Sequence, residues 1–415
     1  MRHLTQTNWD VIVVGGGMVG AATALGLGQQ GMQVLLLEKS APNLVWQDDS
    51  AYQIRVSALT RASEKILKNL KAWSGIEKRR FHAFTAMHVW DQASPGELHF
   101  SAQEMGEPNL GYTVENSIIQ AALWEQLEAC DTIQIMLDKP IEKLEFKDNQ
   151  AWLSLNDEQV MKTPLIVGAD GAFSKVRELA GISVTSHDYQ QCAVVGCVKT
   201  EKSHQDTCWQ RYTEDGPFAF LAMANEVSSI AWYLPTEKMQ WALDLPDEAF
   251  AKQISEASDY RLGQVIEVSE RGAFPLVRRH ADNYVKANLA LVGDAAHTIN
   301  PQAGQGVNLG LLDAAALVDV VLEAKAKGKS WGRFSVLRKY ERWRRGDNAI
   351  VQRSMEGFDW LFKQDSDLKQ QIRKPLLPLA DRLSWVKNWL MGQALNGREA
   401  LPSLAEKFPK KQYCK

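Results

Sequence analysis

The sequence predicts an α/β fold in which a Rossmann-like, dinucleotide-binding domain carries an inserted antiparallel-sheet domain and ends in a helical segment. Two apolar runs, 10–14 and 33–38, flank the Ala- and Leu-rich stretch 20–31, which is the pattern of a βαβ unit. Residues 186–275 alternate apolar and polar side chains over longer segments, as antiparallel strands do. Residues 331–415 are charged and helical in pattern, and they predict the helical end.

The length and composition bound the class of protein. With 415 residues the chain exceeds one typical core, so two domains and an appendage are expected. A formal net charge of −3 argues against a broad nucleic-acid-binding surface. The five cysteines are odd in number and lack C-x-x-C spacing, which predicts neither disulfides nor a zinc site and is typical of a reducing cytoplasm. The first ten residues contain no apolar core of a secretory signal, and no stretch of about 18 uncharged apolar residues predicts a membrane span.

The remaining elements follow from local apolar periodicity and turn residues. Helices are predicted at 63–70, 115–129 and 306–323, and strands at 133–137, 141–147, 151–155, 163–169, 192–200, 207–213, 218–224, 229–234 and 288–293, with strand-like alternation over 81–100 around the turn at 94–96. The expected domains are a discontinuous nucleotide-binding domain (1–75, 105–185 and 276–345), a substrate domain (76–104 and 186–275) and a C-terminal helical region (346–415).

A glycine-rich turn joins the first strand to the first helix. Gly15, Gly17 and Gly20 match G-x-G-x-x-G, and Glu38 ends the next strand. Gly15 permits the tight turn, Gly17 lets the backbone approach a pyrophosphate, and Gly20 allows close helix–strand packing. The helix N-terminus offers unpaired N–H groups to phosphates, and Glu38 can accept hydrogen bonds from a ribose. The motif alone does not separate NAD from FAD.

Two later segments extend this chemistry. One is 168–177 (GADGAFSKVR), and the other is 293–297 (GDAAH), which continues into the Pro- and Gly-rich loop 301–306. Asp294 ends a strand and can accept a hydrogen bond from a ligand hydroxyl. The backbone of the loop can lie against a flat ring, and the helix starting near Gly306 aims its N-terminal amides at the same place, where they stabilise negative charge.

The three segments, in this order and spacing, resemble those of the para-hydroxybenzoate-hydroxylase family of flavin monooxygenases over about residues 1–345. The resemblance implies FAD as cofactor, and NAD(P)H as a donor that reduces it by transient contact. It also implies that Asp170 lies between the flavin and the nicotinamide route and that Arg55 and Gln120 contact the flavin. A surface or salt-bridging role for Arg55 and Gln120 stays open. The cofactor-binding residues implied are Gly15, Gly17, Gly20, Glu38, Arg55, Gln120, Asp170, Asp294, Gly306, Val307 and Asn308.

The chemistry is expected around the loop after the third segment, with Pro301, Gly304, Gly306 and His297 as catalytic candidates. A histidine titrates near neutrality, which invites a proton-transfer role for His297. In the family this histidine packs beside the flavin and orients the loop, and that alternative is favoured. No Ser-His-Asp order, carboxylate pair or metal-ligand cluster stands out, so hydrolysis and metal catalysis are disfavoured and no metal site is expected.

Further stretches narrow the resemblance to the ubiquinone-biosynthesis hydroxylases: 110–116 (LGYTVEN), 272–276 (GAFPL) and 293–310. Residues 209–210 with 215–217, and residues 278–281, are most similar to the branch that acts on 2-polyprenyl-3-methyl-6-methoxy-1,4-benzoquinol. This implies a ring hydroxylase that uses O₂ and NAD(P)H through a flavin C4a-hydroperoxide. A sibling hydroxylase for another ring carbon and a flavin reductase or dehydrogenase without oxygen chemistry stay open. A non-enzymatic scaffold is disfavoured because all three segments keep their glycines and acids.

The substrate ring needs a dry apolar pocket more than a strong acid, because its own hydroxyls activate it. Phe218, Phe220, Leu221 and Met223 are candidates for the wall of this pocket. On one strand Phe218 and Phe220 share a face while Leu221 and Met223 share the other, so one pair can be plain core.

The C-terminal region contains a candidate amphipathic helix. Residues 376–395 place Leu, Val and Trp at helical spacing, and a Lys-rich tail follows. Because a polyprenyl substrate lives in the bilayer, this predicts a helix that touches a membrane or a partner in a ubiquinone-biosynthesis complex. The expected location is cytoplasmic or peripheral to the inner membrane. Packing on the chain's own body or in a homodimer is the open alternative.

Overall fold

A computed structural model describes residues 8–92, 97–299, 306–362 and 401–406. The predicted turn at 94–96, the loop at 301–305 and the amphipathic stretch at 376–395 lie outside the described residues. Two large sheets, one of six strands and one of eight, form the α/β architecture that the sequence predicts.

The strands alternate with the helices through the first half of the chain and dominate its middle. They are β1 (Val11–Val14), β2 (Val34–Glu38), β3 (Val56–Leu59), β4 (His82–Phe84), β5 (Ala86–Asp91), β6 (Glu97–Ser101), β7 (Gly111–Glu115), β8 (Ile133–Leu137), β9 (Ile141–Lys147), β10 (Gln150–Leu155), β11 (Val160–Thr163), β12 (Ile166–Gly168), β13 (Val184–Thr200), β14 (Thr207–Tyr212), β15 (Pro217–Ala222), β16 (Val227–Pro235), β17 (Val265–Ala281), β18 (Val285–Lys286), β19 (Leu289–Leu291) and β20 (His297–Thr298).

The helices include the four that the sequence predicts near 20–31, 63–70, 115–129 and 306–323. They are α1 (Met18–Gly28), α2 (Arg61–Asn69), α3 (Trp73–Glu77), α4 (Asn116–Glu128), α5 (Lys175–Leu179), α6 (Met239–Asp244), α7 (Asp247–Ala257), α8 (Gly306–Ala326) and α9 (Phe334–Phe362). Within the described part of the chain, no helix combines the length and apolarity that a bilayer span requires.

The first sheet has the order β18-β19-β12-β1-β2-β8. Its inner strands are parallel, and β18 pairs with β19 in the antiparallel sense. All four residues of β1 are buried, as expected of a parallel strand covered on both faces. The succession β1, α1, β2 confirms the predicted βαβ unit.

One strand prediction is wrong in detail. The apolar run 163–169 does not form a single strand, because β11 ends at Thr163 and β12 begins at Ile166 in a different sheet. Pro164 lies between them, and a proline has no N–H with which to continue a ladder.

The second sheet has the order β20-β17-β13-β16-β15-β14-β5-β6. All its pairs are antiparallel except β14 with β5. The antiparallel sheet predicted within 186–275 is therefore confirmed, and its two longest strands, β13 and β17, pair side by side near one edge. Its edge strand β20 comes from the 293–297 segment, so this sheet is hydrogen-bonded directly to a predicted cofactor motif. Two three-stranded sheets, β11-β10-β9 and β3-β7-β4, complete the fold.

Close packing of α1 against α8 brings the first and third motifs together. A Cβ atom added to Gly310 would lie 2.5 Å from Val19 Cγ2, and one added to Gly293 would lie 3.2 Å from Val19 Cγ1. Val19 follows the second motif glycine at the start of α1. Both glycines are therefore needed so that the 293–297 turn and α8 can approach the N-terminal end of α1.

Residues 401–406 pack against helices of the first half of the chain and against α8. Ser403 donates its N–H to Asp319 Oδ2 of α8 at 2.7 Å, and Asn69 Nδ2 of α2 donates to Leu404 O at 2.7 Å. The Leu404 side chain packs against Gly26 of α1. Residues 401–406 therefore attach this part of the chain to α1, α2 and α8.

Candidate cofactor and substrate site

The glycine turn after β1 has the shape that its sequence predicts. Gly15 has φ +99°, and a Cβ atom there would lie 2.4 Å from Ala169 O. A Cβ atom on Gly20 would lie 1.9 Å from Gly15 O. Gly17, by contrast, has an ordinary φ of −63° at the N-cap of α1 and open space where its Cβ atom would be. Gly15 and Gly20 are thus required by the turn itself, whereas Gly17 leaves the helix N-terminus open to a ligand.

Three side chains hold the centre of this turn. The Glu38 carboxylate accepts the N–H of Gly16, and the Gly16 carbonyl accepts from Gln120 Nε2 at 3.2 Å and Trp124 Nε1 at 2.7 Å. Glu38 and Gln120 therefore lie where the sequence predicts a cofactor, and they also support the turn. Trp124 is missed by sequence reasoning, although it follows Gln120 by one helical turn on the same face of α4.

The second motif meets the third through an arginine. Arg177 donates to Ala295 O at 2.8 Å and to Ala172 O at 2.9 Å, so it joins the 168–177 segment to the 293–297 turn. Asp170 accepts the Val176 N–H at 3.0 Å through Oδ2. Its buried Oδ1 has no hydrogen-bond partner among the described residues. Because a buried carboxylate oxygen is costly when unpaired, this atom indicates a place for a ligand donor.

Asp294 presents a carboxylate in a concave part of the surface. Its side chain reaches solvent, yet the surrounding protein atoms desolvate it and raise its pKa, while His297, Arg55 and Arg279 oppose that rise. The Asp294 carboxylate therefore lies in a cleft, where protein atoms surround it and solvent still reaches it. Such a carboxylate can accept hydrogen bonds from the hydroxyls of a polyol chain.

Arg55 lies across this cleft from the third motif. Its side chain is exposed, and its guanidinium carbon lies 5.3 Å above the centre of the Phe274 ring on β17. Its carbonyl accepts the N–H of Asn116 at 3.0 Å. Arg55 is therefore held at its backbone, while its exposed guanidinium lies beside β17 and acts electrostatically on Asp294 of the third motif.

His297 is buried in a polar cluster behind the 293–297 turn. Its Nε2 lies 2.5 Å from Asp313 Oδ2 and 2.8 Å from Asn348 Nδ2. Asp313 also accepts the Gly293 N–H at 3.2 Å and Arg344 Nε at 2.8 Å. Burial raises the pKa of Asp313, but its interactions with His297 and Arg344 outweigh this effect and hold it at about 2. His297 therefore anchors the turn to α8 and α9, and a proton-transfer role stays a prediction.

The N-terminus of α8 begins at Gly306, as the sequence predicts. Asn308 accepts the Thr60 N–H at 2.9 Å and the Ser63 hydroxyl at 2.7 Å, and it donates to Ala58 O at 2.8 Å. These bonds use both lone pairs of its amide oxygen and one of its two amide N–H groups, so the second amide N–H and the backbone N–H are left for a ligand. Val307 is half-buried against the hydrophobic core that the first sheet shares with α1 and α8. Pro301 and Gly304 lie outside the described residues.

The four candidate wall residues lie on opposite faces of the second sheet. Phe218 and Phe220 pack in the core between the sheet and α7, with Phe250 among their neighbours. Leu221 and Met223 point to the other face, where they pack in separate clusters near the β3–β7–β4 sheet and Tyr52. The structure thus places Phe218 and Phe220 away from the cleft, because successive side chains of a strand alternate between faces.

A row of small residues crosses the face of the sheet that Leu221 shares. Ala219, Ala231, Val195 and Gly272 are direct neighbours on β15, β16, β13 and β17. Ile54 lies over the end of this row, because a Cβ atom on Gly272 would come within 2.8 Å of its Cδ1 atom. We call these four residues the floor. The sequence does not reveal it, since pairing between distant strands creates it.

One group in the described residues brings three metal-ligand side chains together: His82, His204 and Asp206. His204 Nε2 lies 2.9 Å from Met223 O, and its Nδ1 accepts the Asp206 N–H at 3.1 Å. Both ring nitrogens of His204 are therefore engaged, which leaves no lone pair for a metal.

The residues along the cleft fit an extended dinucleotide. The open N-terminus of α1 suits a pyrophosphate, the Asp294 carboxylate suits a ribityl chain, and Asp170 offers an unpaired oxygen between them. The floor and Arg55 lie toward the other end, where a flat ring would be expected.

Comparisons with known proteins agree with this geometry. A family model described as an FAD binding domain matches residues 8–354. The 3-demethoxyubiquinol 3-hydroxylase of Escherichia coli is 37% identical over 94% of this chain and 100% of that protein. Ubiquinone hydroxylase UbiL of Rhodospirillum rubrum is 32% identical over 93% and 89% of the two chains. The mouse ubiquinone biosynthesis monooxygenase COQ6 is 32% identical over 83% and 82%.

Among solved structures, p-nitrophenol 4-monooxygenase PnpA from Pseudomonas putida superposes with a TM-score of 0.76 at 19% identity. The match covers 95% of this chain and 100% of that one. At this identity the likeness is one of fold.

The different roles of two motif glycines can be tested. Gly17→Ala should leave the stability of the apoprotein unchanged but weaken FAD binding about ten- to a hundred-fold, because the methyl group would meet only the ligand. Gly20→Ala should lower both stability and FAD affinity, since its methyl group meets Gly15 O. Thermal unfolding of the apoprotein and a flavin-fluorescence titration measure the two effects.

Gly346→Ala on α9 is the control, because its Cβ atom would also meet open space and it lies outside the motif. Wild-type FAD affinity in Gly17→Ala would contradict the assignment of the pyrophosphate to this turn.

Proposed function

Because the chain belongs to the ubiquinone-biosynthesis hydroxylases, a branch of the para-hydroxybenzoate-hydroxylase-type FAD monooxygenases, we propose that its substrate is 2-polyprenyl-3-methyl-6-methoxy-1,4-benzoquinol. The observation that carries this proposal is the 37% identity to a 3-demethoxyubiquinol 3-hydroxylase over that protein's whole length. The reaction would consume the quinol, O₂, NAD(P)H and one proton, and it would release the hydroxylated ring, water and NAD(P)⁺.

The cleft supplies what such a reaction asks of the protein. The floor is apolar and small, so a ring can lie flat against it and exclude water. Leu221 and Met223 lie on the same face, and Arg55 closes the side toward the first domain. FAD, when bound, supplies the redox and oxygen chemistry, while these residues orient the ring and keep it dry. Pro301, Gly304 and Gly306 remain our candidates for contact with the flavin ring.

NAD(P)H is the proposed reductant, and one surface feature suits it. The Phe173 side chain is 83% exposed, and Arg279 lies 4.7 Å above the centre of its ring. Arg177 and Asp170 belong to the same motif as Phe173. An exposed aromatic ring beside two arginines can receive a base and a diphosphate, so we place the approach of the donor at this surface.

A sibling activity is the second candidate. The relatives at 32% identity carry the names of ubiquinone hydroxylases without a stated ring carbon, so hydroxylation at another carbon of the polyprenyl ring remains open. Assembly in a ubiquinone-biosynthesis complex, homodimer formation and a cytoplasmic location stay predictions.

One side of α9 is cationic, and this supports the peripheral membrane contact that the sequence predicts for 376–395. Lys339, Arg342, Arg345 and Arg353 are all exposed on this helix. The acids between 333 and 353 face elsewhere: Glu341 is buried and accepts the Tyr284 N–H at 2.8 Å, while Asp347 binds Arg344 at 3.0 Å. We propose that this side faces anionic lipid, where the quinol resides.

The ring position is tested by lipid analysis of a strain that lacks the protein. Accumulated 2-polyprenyl-3-methyl-6-methoxy-1,4-benzoquinol, restored to product by the wild-type chain, is expected. An earlier intermediate would replace the proposed substrate by that of a sibling. Ala231→Trp should fail to restore the product although it still binds FAD, because the indole would cover the floor. Ala231→Ser is the control of nearly wild-type size.

The donor surface is tested with Phe173→Ala. Loss of the stacked ring should raise KM for NAD(P)H about ten-fold, since about 1.4 kcal/mol of contact is lost, and leave FAD affinity unchanged. Phe334→Ala removes another exposed phenylalanine, which lies under Arg338 at 5.8 Å on α9, and should change neither quantity. Equal KM values in steady-state kinetics of the two variants would exclude this surface.

Membrane contact is tested by substitution, because a chain ending near Lys374 would also lose residues 401–406, which pack on three helices. Replacing Lys339, Arg342 and Arg353 by Gln should reduce binding to phosphatidylserine vesicles about a hundred-fold, at about 1 kcal/mol per charge. The same change at the exposed Lys143, Lys175 and Lys252 is the control. Equal vesicle sedimentation of both variants would refute the contact.

A further inference from the structure

Glu115 is the buried acid of the 110–116 stretch, and the cofactor site does not use it. It is 1% exposed at the end of β7 and forms a two-bond ion pair with Arg80, which is 8% exposed. Arg80 Nε donates to Glu115 Oε2 at 2.8 Å, and Nη2 donates to Oε1 at 2.9 Å. Burying such a charge pair costs desolvation free energy, so the pair needs further hydrogen bonds to be stable. The groups that supply these bonds show which part of the chain the pair fixes.

Those contacts are made by the backbone of the connection between β2 and β3. Arg80 Nη1 donates to Ser50 O at 2.9 Å, and Nη2 donates to Ala51 O at 3.3 Å. Glu115 Oε1 accepts the Gln53 N–H at 2.8 Å. The connection has no helix or strand of its own, so this ion pair supplies hydrogen bonds that a ladder would otherwise provide.

Tyr52 carries the restraint across to the second sheet. Its ring stacks under the Arg80 guanidinium, with 3.6 Å between the guanidinium carbon and the ring centre. Its hydroxyl donates to Ala224 O at 2.8 Å and accepts from Asn225 Nδ2 at 3.2 Å. The segment is therefore fixed on one side by the ion pair and on the other by the turn between β15 and β16.

Ile54 and Arg55, the two residues after Gln53, line the cleft. Ile54 lies over Gly272 at the end of the floor, and Arg55 lies over Phe274. The N–H of Asn116, the neighbour of Glu115, holds the Arg55 carbonyl at 3.0 Å. The positions of both side chains thus depend on a backbone segment that Arg80 and Glu115 secure on its other side.

We propose that Arg80 and Glu115 are positioning residues that set the height of Ile54 and Arg55 above the floor, and so decide how the quinol ring is held. The proposal rests on the proposed function for the identity of the ring. Neither residue touches the ring. A looser segment would let the ring bind in more than one pose, which lowers the share of reducing equivalents that ends in hydroxylated product.

Arg80→Lys tests this, because lysine keeps the charge but loses the two-bond geometry and the flat stacking face. Arg79→Lys is the matched control. Arg79 is equally buried and donates to Glu125 at 2.6 Å, but its other bonds go to Gly75 O and Leu44 O, away from residues 50–55. Tyr52→Phe is a milder second variant that removes only the bonds to Ala224 and Asn225.

Two measurements separate positioning from general stability. Hydrogen exchange of the 50–56 peptide should quicken in Arg80→Lys and Tyr52→Phe but not in Arg79→Lys. The yield of hydroxylated quinol per NAD(P)H oxidised should fall about ten-fold in Arg80→Lys, since small misplacements of a reacting group carry such penalties.

Unchanged exchange in Arg80→Lys overturns the restraint, and faster exchange with wild-type yield overturns its effect on the ring. Wild-type protein that gives no hydroxylated product would instead refute the proposed function, and the exchange result would still decide whether the pair holds the segment.

Discussion

One buried carboxylate organises the part of the molecule where the three motifs meet. Asp313 of α8 binds the Gly293 N–H, His297 and Arg344, so it connects the third motif to both long C-terminal helices. With no exposed side-chain surface it could not remain ionised alone, and these partners hold its pKa at about 2. The turn bearing Asp294 therefore has a rigid rear support, while its exposed side is left for a ligand.

Close approach of backbone supports the same region from the other side. Gly15 and Gly20 let the first turn close against Ala169, and Gly293 and Gly310 let α8 approach Val19 at the start of α1. A side chain at any of these glycines would separate the motifs by the width of a methyl group or more. The extended cofactor cleft thus depends on short contacts between segments that are nearly 300 residues apart in the chain.

The two faces of the second sheet contact different parts of the molecule. One face holds the aromatic core around Phe218 and Phe220, which packs against α7. The other presents the floor of small residues toward Ile54 and Arg55. The ion pair of Arg80 and Glu115 fixes the distance between that floor and the first domain through Tyr52. The proposed substrate space is thus bounded by this face of the second sheet and by the connection between β2 and β3.

The α/β fold, the βαβ unit, the antiparallel sheet and the order of the three motifs can all be predicted from the sequence. They can be predicted because the spacing of apolar residues and the glycine-rich turns are local signals. The sequence also predicted that Glu38, Asp170 and Asp294 end or follow buried strands, as they do in the structure, while their contact with a cofactor stays a prediction. Other features become visible only in the folded molecule. The amide oxygen of Asn308 accepts hydrogen bonds from Thr60 and Ser63, and Phe218 faces the core. Asp313, Arg80 and Trp124 support the site from behind. Those roles depend on contacts between distant segments, and no local pattern in the chain records which segments will meet.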